Sequence, residues 1–226
     1  MKIKIAIDGP SGSGKSSMAK GIAKALGLVY VDTGALYRTV GLFAQRNGVT
    51  IAEASKVIPL LPEADIAIKY TEAGQRVILN GEDVSDLIRT NDISMYASAV
   101  SAIPDVRAFL LGIQKKMVDE GGVVMDGRDI GTVIMPDAPV KLFVEASPEA
   151  RAQRRFKELQ EKGDPISFEE VLADIIKRDD NDKNRAIAPA IPAEDAIYID
   201  NSEMNLEETI IYSLNIIKEK LGEANL

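Results

Sequence analysis

The chain has 226 residues and 24.4 kDa, with 46% hydrophobic and 27% charged side chains, a profile that fits one large globular domain or a core with an insert and excludes a disordered chain. Cysteine, histidine and tryptophan are all absent, which excludes disulfides, cysteine-ligated metals, a cysteine nucleophile and a histidine general base, and leaves any chemistry to Lys, Arg, Asp, Glu, backbone groups and a hydrated Mg²⁺. The net charge of −8 and pI near 4.8 set the average surface against bulk DNA but permit small anions at local arginine clusters.

In chain order, Met1-Lys2-Ile3-Lys4 leads straight into a strand over Ile3–Asp8, without a cleavable apolar region. No apolar run reaches 18 residues, so the expectation is a cytoplasmic protein with no membrane contact. After a Gly/Pro/Ser turn, residues 14–26 have helical spacing, with Met18, Ile22, Ala25 and Leu26 on one face and Gly27 as C-cap. A strand over Leu28–Val31 and a helix to about Arg46, stopped by Asn47-Gly48, complete a β-α-β-α start. That order predicts a parallel sheet with right-handed crossovers. The period then shifts to two. Ile66, Ile68 and Tyr70, then Val77 and Leu79, alternate around turn signals at Glu72-Ala73-Gly74-Gln75 and Asn80-Gly81, predicting an antiparallel insert over about 62–90. Parallel strands return at 122–126, 140–144 and 196–200, Ser147-Pro148 opens a helix, and a last helix spans 206–221.

Gly9-Pro10-Ser11-Gly12-Ser13-Gly14-Lys15-Ser16 matches the phosphate-loop pattern in full, with a buried strand before it and a helix after it. The glycines let successive N–H groups turn toward phosphate oxygens, and the helix N-terminus adds positive potential. Lys15 is expected to reach the β- and γ-phosphates, and the Ser16 hydroxyl to ligate Mg²⁺. The pattern alone indicates a nucleoside triphosphate and does not choose among GTPases, ATPases and kinases. No Asn-Lys-x-Asp guanine reader follows, and Asp119-Glu120-Gly121-Gly122 precedes its strand rather than following one. A small kinase is the leading class.

Eleven arginines give the second signal. Asp32-Thr33-Gly34-Ala35-Leu36-Tyr37-Arg38 and Asp126-Gly127-Arg128-Asp129 begin at the carboxyl ends of strands, the edge where open α/β sheets bind ligands. Arg151, Arg154 and Arg155 are spaced i, i+3, i+4, and Arg178 and Arg185 flank Asp179-Asp180-Asn181-Asp182-Lys183-Asn184. Guanidinium groups converging on one crevice suit several phosphates. Plainer readings exist: the arginine triplet as a solvated helix face, Arg38 as a surface charge, Asp126 as a strand-end cap, and Asp179 to Asp182 as a solvated turn.

With these segments together, the chain closely resembles the bacterial cytidylate kinases, a family of nucleoside monophosphate kinases, from Ile3 to about Gly222. The resemblance rests on Gly9–Ser16, on 32–38, on 126–132 and on 178–186. Family members often carry Ser where Thr33 stands, so the hydroxyl is kept. The resemblance implies an α/β fold: a parallel-sheet phosphate-loop core (1–33, 100–150 and 184–226), a monophosphate-binding region (34–99) with the antiparallel insert, and a helical lid (151–183). It implies ATP contacts from Gly9 to Ser17 (Gly9, Pro10, Ser11, Gly12, Ser13, Gly14, Lys15, Ser16 and Ser17) and from Arg151, Arg154 and Arg155. It implies CMP contacts from Thr33, Tyr37, Arg38, Ser98, Arg107, Arg128, Asp129, Arg178, Asp182 and Arg185, with Ser98, Arg107 and Asp129 reading cytosine. Lys15, Arg128, Arg154 and Arg185 would surround the transferring group, with Mg²⁺ on Ser16 and, through water, on Asp126.

The implied reaction is transfer from ATP to CMP or dCMP by a monomer with small-molecule partners and no nucleic-acid or membrane partner. The acceptor phosphate is already ionised at neutral pH and needs no general base, in keeping with a chain that lacks histidine. Two other readings stay open: a related phosphate-loop kinase for another small acceptor such as shikimate or gluconate, and a regulatory module that binds ATP without turnover.

Overall fold

In the computed structural model, residues 3–71, 74–161, 163 and 165–222 are described; Met1 and Lys2, and Glu72 and Ala73 of the expected hairpin turn, lie outside them. The elements in chain order are β1 (Lys4–Asp8), α1 (Lys15–Leu26), β2 (Val29–Asp32), α2 (Thr33–Arg46), a run of 3₁₀ turns (Ile51–Glu63), β3 (Ile66–Thr71), β4 (Gly74–Leu79), β5 (Glu82–Asp83), α3 (Asn91–Ser101), α4 (Pro104–Glu120), β6 (Val123–Gly127), β7 (Val140–Glu145), α5 (Pro148–Glu161), α6 (Phe168–Asn184), β8 (Ile197–Asp200) and α7 (Leu206–Leu221). They form two units, 1–29 with 122–226 and 30–121, divided within β2.

In the first unit, β1 pairs in parallel with β6 on one side and β7 on the other, and β8 pairs in parallel with β7. The sheet order is β2-β6-β1-β7-β8. The chain leaves β1 toward one edge and later returns on the other, so the carboxyl end of β1 is the topological switch point of the sheet. Ile5, Ala6, Ile7, Val124 and Met125 are fully buried, as strands covered on both faces require. Helix α1 turns its Met18, Ala19, Ile22 and Ala23 face inward and ends at Gly27, whose φ of 63° is the left-handed cap that glycine adopts most easily. Helix α7 opens with a reciprocal Asn205–Glu208 capping box. Helices α5 and α6 form a hairpin with a small core of its own: Ala152, Leu159, Val171 and Ile175, with Phe156 edge-on to Phe168. Asp179 to Asp182 fall within α6, so the solvated-turn reading of that run is replaced by the helical end of α6.

In the second unit, α2, α3, α4, the 3₁₀ run and the β3-β4-β5 sheet close over a single core. Ile66 pairs opposite Leu79 and Ile68 opposite Val77, so the alternating side chains of the insert meet on one inward face. The Asn80-Gly81 turn has positive φ at both residues (49° and 84°), as a tight primed hairpin turn demands. Pro59 and Pro62 keep the 51–63 segment from becoming a regular α-helix. The observed division differs from the expected one at 100–121. Val106 and Leu110 of α4 are fully buried in this core, which groups that stretch with the second unit.

Candidate active site

The phosphate loop leaves the carboxyl end of β1. Gly9, Gly12 and Gly14 have φ of 152°, 76° and 80°, values closed to most side chains. A Cβ on Gly9 would sit 2.1 Å from the Val144 carbonyl oxygen. Buried Lys15 folds back to donate to the Pro10 carbonyl at 3.1 Å, which sets its ammonium over the loop. The Ser13 hydroxyl is fully buried with no hydrogen-bond partner among the described residues. A cavity of ≈ 540 Å³, lined in part by Pro10, Phe143, Arg151, Asp182 and Tyr198, opens beside the loop, within the range of small-molecule sites.

The Ser16 hydroxyl donates to Asp126 Oδ2 at 2.6 Å, bringing together the two groups the sequence assigns to Mg²⁺. Both are hard oxygen donors, the type Mg²⁺ prefers. Among the described residues no cluster of three or more His, Cys, Asp or Glu side chains forms a metal cage. The pair therefore fits a cation that takes its remaining ligands from nucleotide phosphate and water.

Asp8, the last residue of β1, accepts from the backbone N–H groups of Ile130 and Gly131 at 2.8 and 2.7 Å. It thereby fixes the turn that follows Arg128 and Asp129. Burial, reinforced by the Asp129 charge and opposed by those two hydrogen bonds and Lys15, pushes its carboxyl up to about 7. Arg128 donates through Nε to Asp182 Oδ2 at 3.0 Å. Arg185 lies 3.8 Å from Asp129 and 3.9 Å from Asp182. Its Nε donates to the Ala188 carbonyl at 2.6 Å, with Ala188 in the left-handed region at φ 48°, a local strain of the kind that accumulates at functional sites. Burial would raise the Asp182 carboxyl, but Arg128, Arg178 and Arg185 together hold it below the usual carboxylate range. The first unit thus gathers Arg128, Asp129, Arg178, Asp182 and Arg185 into one charged network.

The arginines of α5 are engaged within the protein. Arg151 is 3% exposed and uses its guanidinium on the protein: Nε to the Ala146 carbonyl, Nη1 to the Ser11 carbonyl and Nη2 to Asp179. Arg154 donates to Asn201 Oδ1 and to the Asn201 carbonyl. Arg151 thus contacts the phosphate loop itself, and Arg154 the Asn201 that bonds to it. Arg155 pairs with exposed Glu158 at 3.2 Å.

In the second unit, Asp32 caps α2 by accepting from Ala35 N–H and also accepts from Arg38 at 2.7 Å. Burial would raise its carboxyl, but Arg38 and Arg89 hold it below the ordinary value. Thr33, the first residue of α2, is buried, and Arg38 Nε is buried without a hydrogen-bond partner among the described residues. Arg107 is buried, donates to the Ser101 carbonyl at 3.1 Å and lies 5.4 Å from the centre of the Tyr37 ring. Ser98 lies half-buried on α3. Gln75 grips the Asp32 backbone from both sides, accepting from its N–H and donating to its carbonyl.

The sequence assigns no role to Asp8, Gln75 or Asn201, and names Asp179 only as part of its acidic run. Asp8 and Asn201 stand at carboxyl ends of parallel strands, so the strand-edge rule that singled out Asp126 would have reached them too. Gln75 and Asp179 act through tertiary contacts that no local pattern announces.

Comparison with known proteins places these features in a family. The cytidylate kinase family model matches residues 5–219. The chain is 48% identical over 220 residues to a cytidylate kinase of Fervidobacterium nodosum, covering 97% of this chain and 98% of that one. It is 46% identical over 221 residues to the cytidylate kinase of Caldicellulosiruptor saccharolyticus, covering 98% of each. At the level of fold alone it is similar to a sugar kinase from Janibacter, with TM-score 0.50 and 14% identity over 96% of this chain and 95% of that one. With its loop, its strand-edge arginines and these relatives, the chain belongs to the cytidylate kinase family, whose reaction is phosphoryl transfer from ATP to CMP.

Proposed function

We propose that this chain transfers the γ-phosphoryl group of ATP to CMP and dCMP, working as a cytoplasmic monomer on freely diffusing nucleotides. The observation that carries this reading is the phosphate loop, with Lys15 folded over it and Ser16 bonded to Asp126, in a chain of this family. Gly9 to Ser17 take the ATP phosphates, and Arg151, Arg154 and Arg155 of α5 are assigned to ATP. Thr33, Tyr37, Arg38 and Arg128 are assigned to the acceptor, with Arg38 and Arg128 on its phosphate. Ser98, Arg107 and Asp129 are assigned to cytosine, and Arg178, Asp182 and Arg185 to the ribose and the transfer centre.

A CMP phosphate oxygen, ionised at neutral pH, forms the new bond to the γ-phosphorus as the bond to the ADP oxygen breaks. No proton is removed, and none of the chain's residues need act as a base. The work of the protein is to hold two anions in line and offset their repulsion, through Lys15, Arg128, Arg154 and Arg185. Mg²⁺ bound with ATP at Ser16 and Asp126 would supply further charge neutralisation on the phosphates. The α5–α6 hairpin, with its own small core, is suited to act as a lid that keeps water from the γ-phosphate.

Cytosine recognition has a chemical basis. A carboxylate accepts from the N4 amino group of cytosine and repels the O4 of uracil. A coupled ADP-release assay over CMP, dCMP, UMP, AMP, GMP, shikimate and gluconate tests the proposal. The expected result is fastest turnover with CMP or dCMP. Preference for another acceptor, or nucleotide binding without turnover, overturns it.

A further inference from the structure

The carbonyl groups of the phosphate loop are held as firmly as its glycines are bent. The Ser11 carbonyl accepts from Arg151 Nη1 at 3.0 Å, and the Ser13 carbonyl accepts from Asn201 Nδ2 at 2.8 Å. Both side chains are 3% exposed, so neither bond competes with bulk water. Each is itself braced. Arg151 also grips the Ala146 carbonyl and Asp179 of α6, and its stem packs so closely on the loop that a Cβ on Gly12 would lie 3.3 Å from Arg151 Cβ. Asn201 donates its backbone N–H to the Glu145 carbonyl and is clamped by Arg154 at Oδ1 (3.2 Å) and at its carbonyl (2.6 Å).

A trans peptide puts the carbonyl of one residue and the N–H of the next on opposite sides, and the described chain contains no cis peptide. Pulling the Ser11 carbonyl toward Arg151 therefore turns the Gly12 N–H away from Arg151, and pulling the Ser13 carbonyl toward Asn201 turns the Gly14 N–H away from Asn201. The left-handed φ of both glycines lets the backbone accept that alternation, which is the geometry of an anion-binding nest. We infer that Arg151 and Asn201, the latter clamped by Arg154, are positioning residues that pre-set the Gly12 and Gly14 amides for nucleotide phosphate before any nucleotide binds. This deepens the ATP-binding reading of the loop and rests on it.

Aimed amides serve the phosphates that ATP and ADP share, whereas a direct contact to the transferring group would serve ATP alone. Dissociation constants of ATP, ADP and CMP are to be measured by calorimetry on the full chain, for wild type, Arg151→Lys and Asn201→Ala. Arg151→Lys keeps the charge but loses the fork, and Asn201→Ala tests the other carbonyl should the first variant not fold. The expected result is a parallel loss of ATP and ADP affinity, on the order of 10-fold in each variant, with CMP affinity within about twofold of wild type. A loss confined to ATP, an equal loss of CMP, or no loss overturns the assignment. On the wild-type chain, the amide resonances of Gly12 and Gly14 should shift on adding ADP; shifts no larger than those of core strand β1 overturn it without any variant. Wild-type protein that bound neither ATP nor ADP would instead remove the ATP-binding reading itself, and this inference with it.

Discussion

On the proposed reading, Lys15 and Asp129 carry different parts of the chemistry and should fail differently. Lys15 is buried over the loop, bonded to the Pro10 carbonyl, and in the proposed role its ammonium would meet charge that develops only during transfer. Lys15→Ala should lower kcat on the order of 10³-fold or more, with the urea midpoint little changed; a variant keeping a tenth of wild-type turnover contradicts that role. Asp129 has Arg185 as its ionic neighbour, whereas Arg128 is held by Asp182. Removing the Asp129 carboxylate therefore leaves the Arg128 anchor in place. Asp129→Ala should reduce kcat/KM for CMP far more than for UMP, closing roughly 10- to 100-fold of discrimination, or about 1–3 kcal/mol. Asp182→Asn, which loosens Arg128, should slow both substrates alike. An unchanged CMP/UMP ratio in Asp129→Ala rejects base reading by this residue.

Between elements, α2 and α3 of the second unit approach closely at Gly41. A Cβ there would lie 2.9 Å from Tyr96 Cβ and 3.1 Å from the Ala97 backbone nitrogen. Neither is the free end of a flexible side chain, so the helices themselves would have to separate. Gly41→Ala should destabilise the protein by roughly 1–3 kcal/mol in urea unfolding, despite the gain in helix propensity; no loss would mean the contact yields. This contact also marks where sequence reading stops. The parallel strands, α1, α2, α7 and the Asn80-Gly81 hairpin were legible because period, caps and turn residues are local signals, and the phosphate loop was legible because its chemistry is written in consecutive residues. The 51–63 segment was not, since its apolar spacing is interrupted by two prolines and settles into 3₁₀ turns. Nor were the contacts that Arg151 and Arg154 make within the protein. Helical spacing gave them a shared helix but not the buried carbonyls of Ser11 and Asn201, which come from loops 140 and 47 residues away.

The chain as a whole has no histidine, and the ordinary pKa values of its other side chains lie below 5 or above 9. Stability between pH 5 and 7 is therefore expected to be flat, apart from groups the fold has moved into that window. Asp8 is such a group, raised to about 7 chiefly by burial at the end of the central strand. The unfolded chain releases this proton near pH 4, while the folded chain keeps it to about 7. Within that interval the native state binds the extra proton, so stability falls as pH rises, by at most about 1.4 kcal/mol per pH unit. Above about 7 both states are ionised and the slope vanishes. Asp8→Asn cannot titrate, yet its amide oxygen can still accept one of the two N–H groups from Ile130 and Gly131. The variant should lose some stability at pH 5, where wild-type Asp8 is protonated, and recover relative to wild type as pH approaches 7. Urea unfolding at half-unit steps from pH 5 to 8 measures this directly. The expected result is a downward slope for wild type that flattens above about pH 7, against a nearly level line for Asp8→Asn. A level wild-type profile would mean that Asp8 ionises in the normal carboxylate range and that its two backbone hydrogen bonds, with Lys15 beside it, outweigh the cost of burial.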